Sequence, residues 1–143
     1  MPGPDPSHWL FRLTPEEWLA AADTELAHAA EKLAARAFRP GVTHARRAAG
    51  MAWNALMAAA PDPAAADALV ARFGRSYMEH VVALAGDESA AVELRAAAQL
   101  LRDTPPAPPE LITLGKPDLR ALDAARTVVA HARGALMPGR PAP

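Results

Sequence analysis

Basic side chains are concentrated in one acid-free stretch of the chain, where they could bind an anion. No acidic residue lies between Glu31 and Asp62. The stretch contains Lys32, Arg36, Arg39, Arg46 and Arg47, together with His44. Guanidinium groups form paired hydrogen bonds with phosphate oxygens, so we take Arg39, His44, Arg46 and Arg47 as candidate ligand-binding residues for a small phosphorylated ligand or nucleotide. The alternative is a solvated face that is neutralised by acids on adjacent helices.

Three histidines, each in a different predicted helix, are candidate metal ligands. His44, His80 and His131 could act as in helical metal hydrolases of the DinB type, which use three histidines. On a helical wheel, however, His44 and His131 fall on the outer sides of their helices, away from the apolar stripes. We therefore predict neither a metal site nor a cofactor.

Several other chemistries are excluded by what the sequence lacks. There are no cysteines, which excludes disulfides and thiolate metal sites. Phosphate-binding P-loops, dinucleotide fingerprints and a Ser/His/Asp arrangement for hydrolysis are also absent. The net charge of −1 gives no overall attraction to nucleic acid or to an anionic membrane.

The composition indicates one helical domain. A chain of 143 residues matches the usual length of a single domain. Hydrophobic residues make up 51% of it, many of them alanine, whereas aromatic residues make up only 5%. This balance favours helices over strands. The first residues lack the features of a secretory signal, and no apolar run approaches the roughly 18 residues of a membrane span, so we expect a cytoplasmic protein without membrane contact.

The segment 43–60 is predicted to be the central helix. Its apolar stripe consists of Ala45, Ala49, Ala52, Trp53, Leu56 and Ala60. Gly50 extends the apolar surface and suggests close approach of a neighbouring backbone. Asn54 is expected mostly on the outer side, with His44, Arg46 and Arg47.

Four further helices are predicted around this one. Thr14 and Glu17 form a capping box that begins the first helix, which is expected to run to about Phe38 and to end at residues 39–41. The third helix begins after Asp62 and ends near Gly86, and Gly74 either bends or splits it. The fourth spans residues 90–101, and the last runs from Asp118 to Leu136. The fold class is therefore all-α, an antiparallel up-and-down bundle of four to five helices.

The predicted domain organisation has three parts. They are an N-terminal arm at residues 1–13, the helical bundle at 14–136 and a flexible tail at 137–143. The proline-rich connection at 103–117 is long for a compact domain, which is typical of a functional loop or a strap across the bundle.

Set side by side, the helical segments resemble the HEPN family of small helical domains. EEWLAAADTELAHAAEKLAARAF is similar to the opening helix of that family, and HARRAAGMAWNAL to its second helix. HVVALAGDESAAVELRAAAQLL and LRALDAARTVVAHAR resemble the later helices. The chain departs from the family in having Arg46 and Arg47 where glutamines are usual, and Gly50-Met51 where Glu-Lys is common. The resemblance implies a four-helix core, frequent homodimers and either of two functions.

One of these functions is metal-independent RNA cleavage, which the family carries out with an Arg-x(4–6)-His motif. Arg75 and His80 match that spacing, with Arg75 stabilising phosphate charge and His80 transferring a proton at a ribose hydroxyl. Ser76 departs from the Asn, Asp or His that usually follows the arginine. Residues five apart on a continuous helix also point about 140° apart, so a kink at Gly74 or a dimer would have to bring the pair together. The alternative is a structural His80 that is partly buried and bonded to a backbone carbonyl.

The other function implied by the family is binding without catalysis. The leading hypothesis is accordingly a non-catalytic HEPN-like domain, expected to be a homodimer, that binds a partner protein or a small phosphorylated or nucleotide ligand. A nucleotidyltransferase or an antitoxin is a possible partner. The alternatives are a toxin-type endoribonuclease that cleaves RNA with Arg75 and His80, and a structural bundle without a ligand. Exposed apolar residues such as Met78 and Val82 are expected to mark the surface for self-association.

Overall fold

The described part of the chain is all-helical. The computed structural model describes residues 8–105 and 116–136, and these ranges contain no β-strand. A short 3-10 helix at Trp9–Arg12 precedes the α-helices. The α-helices are α1 (Pro15–Ala34), α2 (Phe38–Ala58), α3 (Pro63–Phe73), α4 (Tyr77–Ala85), α5 (Val92–Asp103) and α6 (Arg120–Leu136). Within these ranges, no helix has the length and apolar character needed to cross a membrane.

Helix α2 is the centre of the packing, as the sequence predicts. It packs most extensively against α1 and α6, then against α4, and it also contacts α3, α5 and the 3-10 helix. More than half of its residues are buried, including Ala45, Ala49, Ala52 and Trp53 of the predicted stripe. Leu56 is only partly buried. Asn54 is the exception to the helical-wheel prediction, because it lies in the core and not on the outer side.

The starts of three helices agree with the predicted caps. Thr14 accepts a hydrogen bond from the backbone N–H of Glu17, whose carboxylate accepts one from the N–H of Thr14. Asp62 caps α3 by accepting from the N–H of Ala65. Asp118 accepts from the N–H of Arg120 at the start of α6. These bonds satisfy amide groups that have no partner within the first turn of a helix.

The predicted end of the first helix is wrong. α1 ends at Ala34, and Arg36 adopts a left-handed conformation with φ 62°. The N–H of Arg36 then donates to the carbonyl of Leu33, and the N–H of Ala37 to that of Lys32, which is the Schellman arrangement. The predicted start of the central helix at residue 43 is also wrong, since α2 begins at Phe38. Pro40 lies inside its first turn, where the missing N–H costs no hydrogen bond.

Gly74 splits the predicted third helix in two, so the described residues form six α-helices and not the predicted five. Its φ of 83° lies in the left-handed region that glycine adopts easily, and α3 ends there. Ser76 then begins α4 with a second capping box, in which Glu79 is the partner. The predicted N-terminal arm is partly packed, since Leu10 is fully buried and its carbonyl accepts from the indole N–H of Trp18. The rest of the arm, the centre of the proline-rich connection and the predicted tail lie outside the described residues.

Gly50 allows the first turn of α4 to lie directly on α2. A Cβ at this position would lie 2.6 Å from the Cα of Tyr77, and closer still to its Cβ. We therefore expect Gly50→Ala to lower the free energy of unfolding by about 1–3 kcal/mol, because the overlap outweighs the roughly 1 kcal/mol that alanine gains in helix propensity. The matched control is Gly134→Ala in α6, where a Cβ would meet nothing within 4 Å and a small stabilisation is expected. Chemical unfolding of both variants tests this contact, and a Gly50→Ala variant as stable as the parent would contradict it.

Candidate functional site

His80 is a core residue. Its side chain is fully buried. Its Nδ1 donates to the backbone carbonyl of Phe73 at 2.7 Å, and its Nε2 lies 2.7 Å from the side-chain amide of Asn54, whose N–H donates to Nε2 of the neutral ring. Burial lowers the pKa of His80, although the Phe73 carbonyl and the charge of Glu79 oppose this shift. The ring therefore joins α2 to the junction of α3 and α4, and neither nitrogen faces solvent.

Arg75 lies on the surface beside the break at Gly74. Its backbone N–H donates to Oε2 of Glu79 at 2.8 Å, and its guanidinium lies 5.9 Å from the centre of the Trp9 ring. Arg75 and His80 share no hydrogen-bond partner, and they do not meet in a common cleft. The break in the helix leaves Arg75 exposed while His80 is enclosed by the core.

Arg46 holds the end of α5 in place. Its Nε donates to the carbonyl of Leu101 and its Nη2 to the carbonyl of Thr104, both at 2.9 Å. Carbonyl groups at the C-terminus of a helix carry partial negative charge and favour a cation there. Burial lowers the pKa of Arg46 from its usual range. This guanidinium is therefore directed at α5, away from the groups that Arg47 contacts.

His44 and Arg47 both bind one buried carboxylate on α1. Glu25 is 7% exposed. Its Oε2 accepts from Nδ1 of His44 at 2.5 Å, and its Oε1 lies 3.1 Å from Nη2 of Arg47. A buried carboxylate requires such partners, because an unpaired charge in the interior is unfavourable by several kcal/mol. For Arg47, Glu25 is the acid on an adjacent helix that the alternative interpretation of the basic stretch expects.

His28 completes a group that we call the α1–α2 polar cluster: Glu25, His28, His44 and Arg47. The rings of His28 and His44 meet edge to face, with their centres 5.1 Å apart. One potential ligand atom from each of Glu25, His28 and His44 lies within 4.8 Å of the others. The cluster is partly open to solvent, since His28 is exposed and His44 is half-buried.

Tyr77 borders the α1–α2 polar cluster where α4 lies against α2. Burial is the main cause that raises its pKa, while Arg47 lowers it and Glu25 raises it further. The phenol therefore remains protonated and neutral near pH 7. Its pKa therefore responds to the charges of Glu25 and Arg47, which form the ion pair of this cluster.

The three histidines that were considered as metal ligands, His44, His80 and His131, do not come together. His80 is bonded to Asn54 and Phe73 in the core, whereas His44 is bonded to Glu25 at the surface of α1 and α2. His131, on α6, belongs to neither group. The histidine beside His44 is His28, which the sequence analysis did not consider. Arg39 is exposed at the start of α2 and lies outside the polar cluster as we define it.

Two features of the sequence point to Glu25 and His28, which were not among the predicted site residues. Glu25 lies three residues after Ala22 and four before Ala29, inside the apolar stripe of α1, where a charged residue requires a partner. Glu25 and His28 are three residues apart, a spacing that places both side chains on one face of a helix. Neither signal identifies His44 or Arg47 as the partners, because these lie on the next helix.

Comparisons with protein-family models, with curated proteins and with solved structures found no match.

Proposed function

We propose that the chain is a non-catalytic, HEPN-like helical domain that acts by binding protein, and that a second copy of itself is a partner. Two features support a role in binding. The imidazole of His80 is enclosed and bonded on both sides, so it cannot reach a ribose hydroxyl without leaving the core. An apolar surface is also exposed along α4.

That surface is the observation on which the proposal rests. Met78 is 37% exposed and Val82 is 50% exposed, and they lie one helical turn apart on the side of α4 away from its core residues. Together with Phe73, Gly74 and Ala83 they line a shallow, largely apolar groove. Gly86 follows at the same spacing and borders a second groove, which includes the exposed Val92. Met78, Val82 and Val92 are three of the four exposed large hydrophobic residues in the described chain.

The charges beside the groove favour a second copy as the occupant. Arg72 borders it on α3, where its Nη2 also pairs with Asp87 at 2.7 Å, and Glu79 borders it on α4, where its Oε2 accepts from the N–H groups of Arg75 and Ser76. In a dimer with twofold symmetry the same surface faces itself, so Arg72 of each copy can approach Glu79 of the other. A stable dimer usually buries about 800 Å² on each subunit, which requires both grooves along α4 and not Met78 and Val82 alone.

The phosphorylated-ligand hypothesis has less support from the geometry. Two of the four candidate residues, Arg46 and Arg47, already bind protein groups, and His44 is tied to the same carboxylate as Arg47. A phosphate would have to compete with the negative charge of Glu25. A nucleotidyltransferase or antitoxin partner stays a prediction from the family resemblance.

Sedimentation velocity tests the proposed dimer. We expect Met78→Asp and Val82→Asp each to weaken self-association at least about 30-fold, because a charge would be buried in the interface. Leu119→Asp is the matched control: Leu119 has the same 37% exposure as Met78 but lies before α6, and its variant is expected to associate like the parent. A parent that is monomeric at about 100 μM, or a Leu119→Asp variant that dissociates equally, would contradict the proposal.

A further inference from the structure

The α1–α2 polar cluster contains the ligand set of a metal site. Glu25 and His28 project from one face of α1, and His44 meets them from α2. Helical bundles that bind metals use the same pairing of a glutamate and a histidine three residues apart, with further ligands from facing helices. We propose that Glu25, His28 and His44 bind one divalent transition-metal ion of the zinc type. This site is separate from the surface on α4.

The distances suit a compact ion. With metal–ligand bonds of about 2.0–2.1 Å, neighbouring ligand atoms of a tetrahedral site lie about 3.3 Å apart. The three ligand atoms already lie within 4.8 Å of one another. The contact between Oε2 of Glu25 and Nδ1 of His44 is 2.5 Å, and the ion would replace the hydrogen of this bond as the two atoms separate by about 0.8 Å.

The surroundings prepare Glu25 for this role. Nη2 of Arg47 lies against Oε1, which keeps the carboxylate oriented and leaves Oε2 for the ion. The positive charge of Arg47 also repels a metal ion. Metal binding therefore depends more on strong coordination bonds to the two imidazoles than on attraction between opposite charges. Two imidazoles and one carboxylate select zinc, cobalt or nickel over magnesium and calcium, which prefer oxygen ligands alone. Because His28 is exposed, the fourth position faces solvent.

The test uses the full chain without an affinity tag, first treated with a chelator. Added Zn²⁺ is expected to bind at one equivalent and to raise the midpoint of thermal unfolding by about 5 °C or more. Co²⁺ in its place is expected to give the visible absorption of a tetrahedral ion with nitrogen and oxygen ligands. Mg²⁺ at the same concentration is expected to do neither.

His28→Ala is the decisive variant, because His28 is exposed and its loss leaves the bonds of Glu25 to His44 and Arg47 intact. We expect it to fold like the parent and to bind Zn²⁺ at least about 100-fold more weakly. His131→Ala is the control and is expected to retain the parent affinity. The proposal is overturned if the parent shows no Zn²⁺-dependent shift at millimolar metal, if His28→Ala keeps its affinity, or if both variants lose affinity equally.

Discussion

Replacing Trp53 with alanine is expected to lower the free energy of unfolding by about 3–5 kcal/mol. Trp53 is buried on α2, the helix that contacts every other α-helix of the described chain. Its ring meets that of Phe73 edge to face, with the ring centres 5.7 Å apart. Alanine would leave a cavity between α2 and the end of α3, which the surrounding helices can fill only in part. Denaturant unfolding, followed by far-UV circular dichroism, measures the loss.

Trp53→Phe separates the contribution of packing from that of the indole N–H. Nε1 of Trp53 is buried and has no hydrogen-bond partner in the described part of the chain. Phenylalanine keeps much of the apolar volume and removes the unpaired donor, so we expect a loss below about 1.5 kcal/mol. If Trp53→Ala itself costs less than about 1 kcal/mol, the packing of α2 differs from that described here.

The sequence predicted the capped helix starts correctly but misplaced the turn between α1 and α2, where α2 begins at Phe38 and not at residue 43. Capped starts depend on local chemistry: the predicted caps Thr14 and Asp62 each accept from an amide three residues further on, and so does Ser76, which was not predicted as a start. The end of α1 depends on Arg36 in a conformation that usually requires glycine, and no residue type in that turn signals it. At Gly74 the residue type did carry the signal, although a bend and a complete break remained equally consistent with it.

Polar residues inside the core were the hardest to place. A helical wheel places Asn54 opposite the apolar stripe of α2, but α2 is packed on several sides by other helices, so this position also lies in the core. Its partner His80 lies 26 residues further along the chain, and His44 lies 19 residues from Glu25. Such pairs become visible only when the relative placement of the helices is known, since neither helix alone reveals the partner. The apolar stripes were more predictable because burial of an alanine or a leucine needs no particular partner.

The second large effect is expected at His80. His80→Ala should lower the free energy of unfolding by about 2–4 kcal/mol, because it opens a cavity and leaves Asn54 and the Phe73 carbonyl without their buried partner. Arg75→Ala is the matched comparison. Arg75 is exposed, so this variant should change stability by no more than about 0.5 kcal/mol.

The pH dependence of stability gives an independent measure of the same residue. Burial lowers the pKa of His80 in the folded state, so below about pH 6.5 the unfolded chain binds a proton that the folded chain does not. The stabilisation of the folded state by a neutral His80 is therefore fully present above about pH 6.5. It is lost as the pH falls toward the folded-state pKa, at up to about 1.4 kcal/mol per pH unit. Hydrogen bonds from the N–H groups of Arg75 and Ser76 lower the pKa of Glu79. The stabilisation that the Glu79 carboxylate gives to the folded state is therefore lost only at more acidic pH. His80→Gln should flatten the slope just below about pH 6.5, and an unchanged slope would contradict a buried neutral ring.

These measurements also separate the structural role of His80 from the ribonuclease hypothesis. A catalytic pair predicts that His80→Ala and Arg75→Ala fold as well as the parent and lose activity together. A core histidine predicts a large loss of stability for His80→Ala alone, and no RNA cleavage that depends on either residue. The assay is incubation of the purified parent and both variants with a mixed RNA substrate, at a temperature where all three are folded. Cleavage by the parent that disappears in each variant would require His80 to leave the core and would overturn the binding function proposed here.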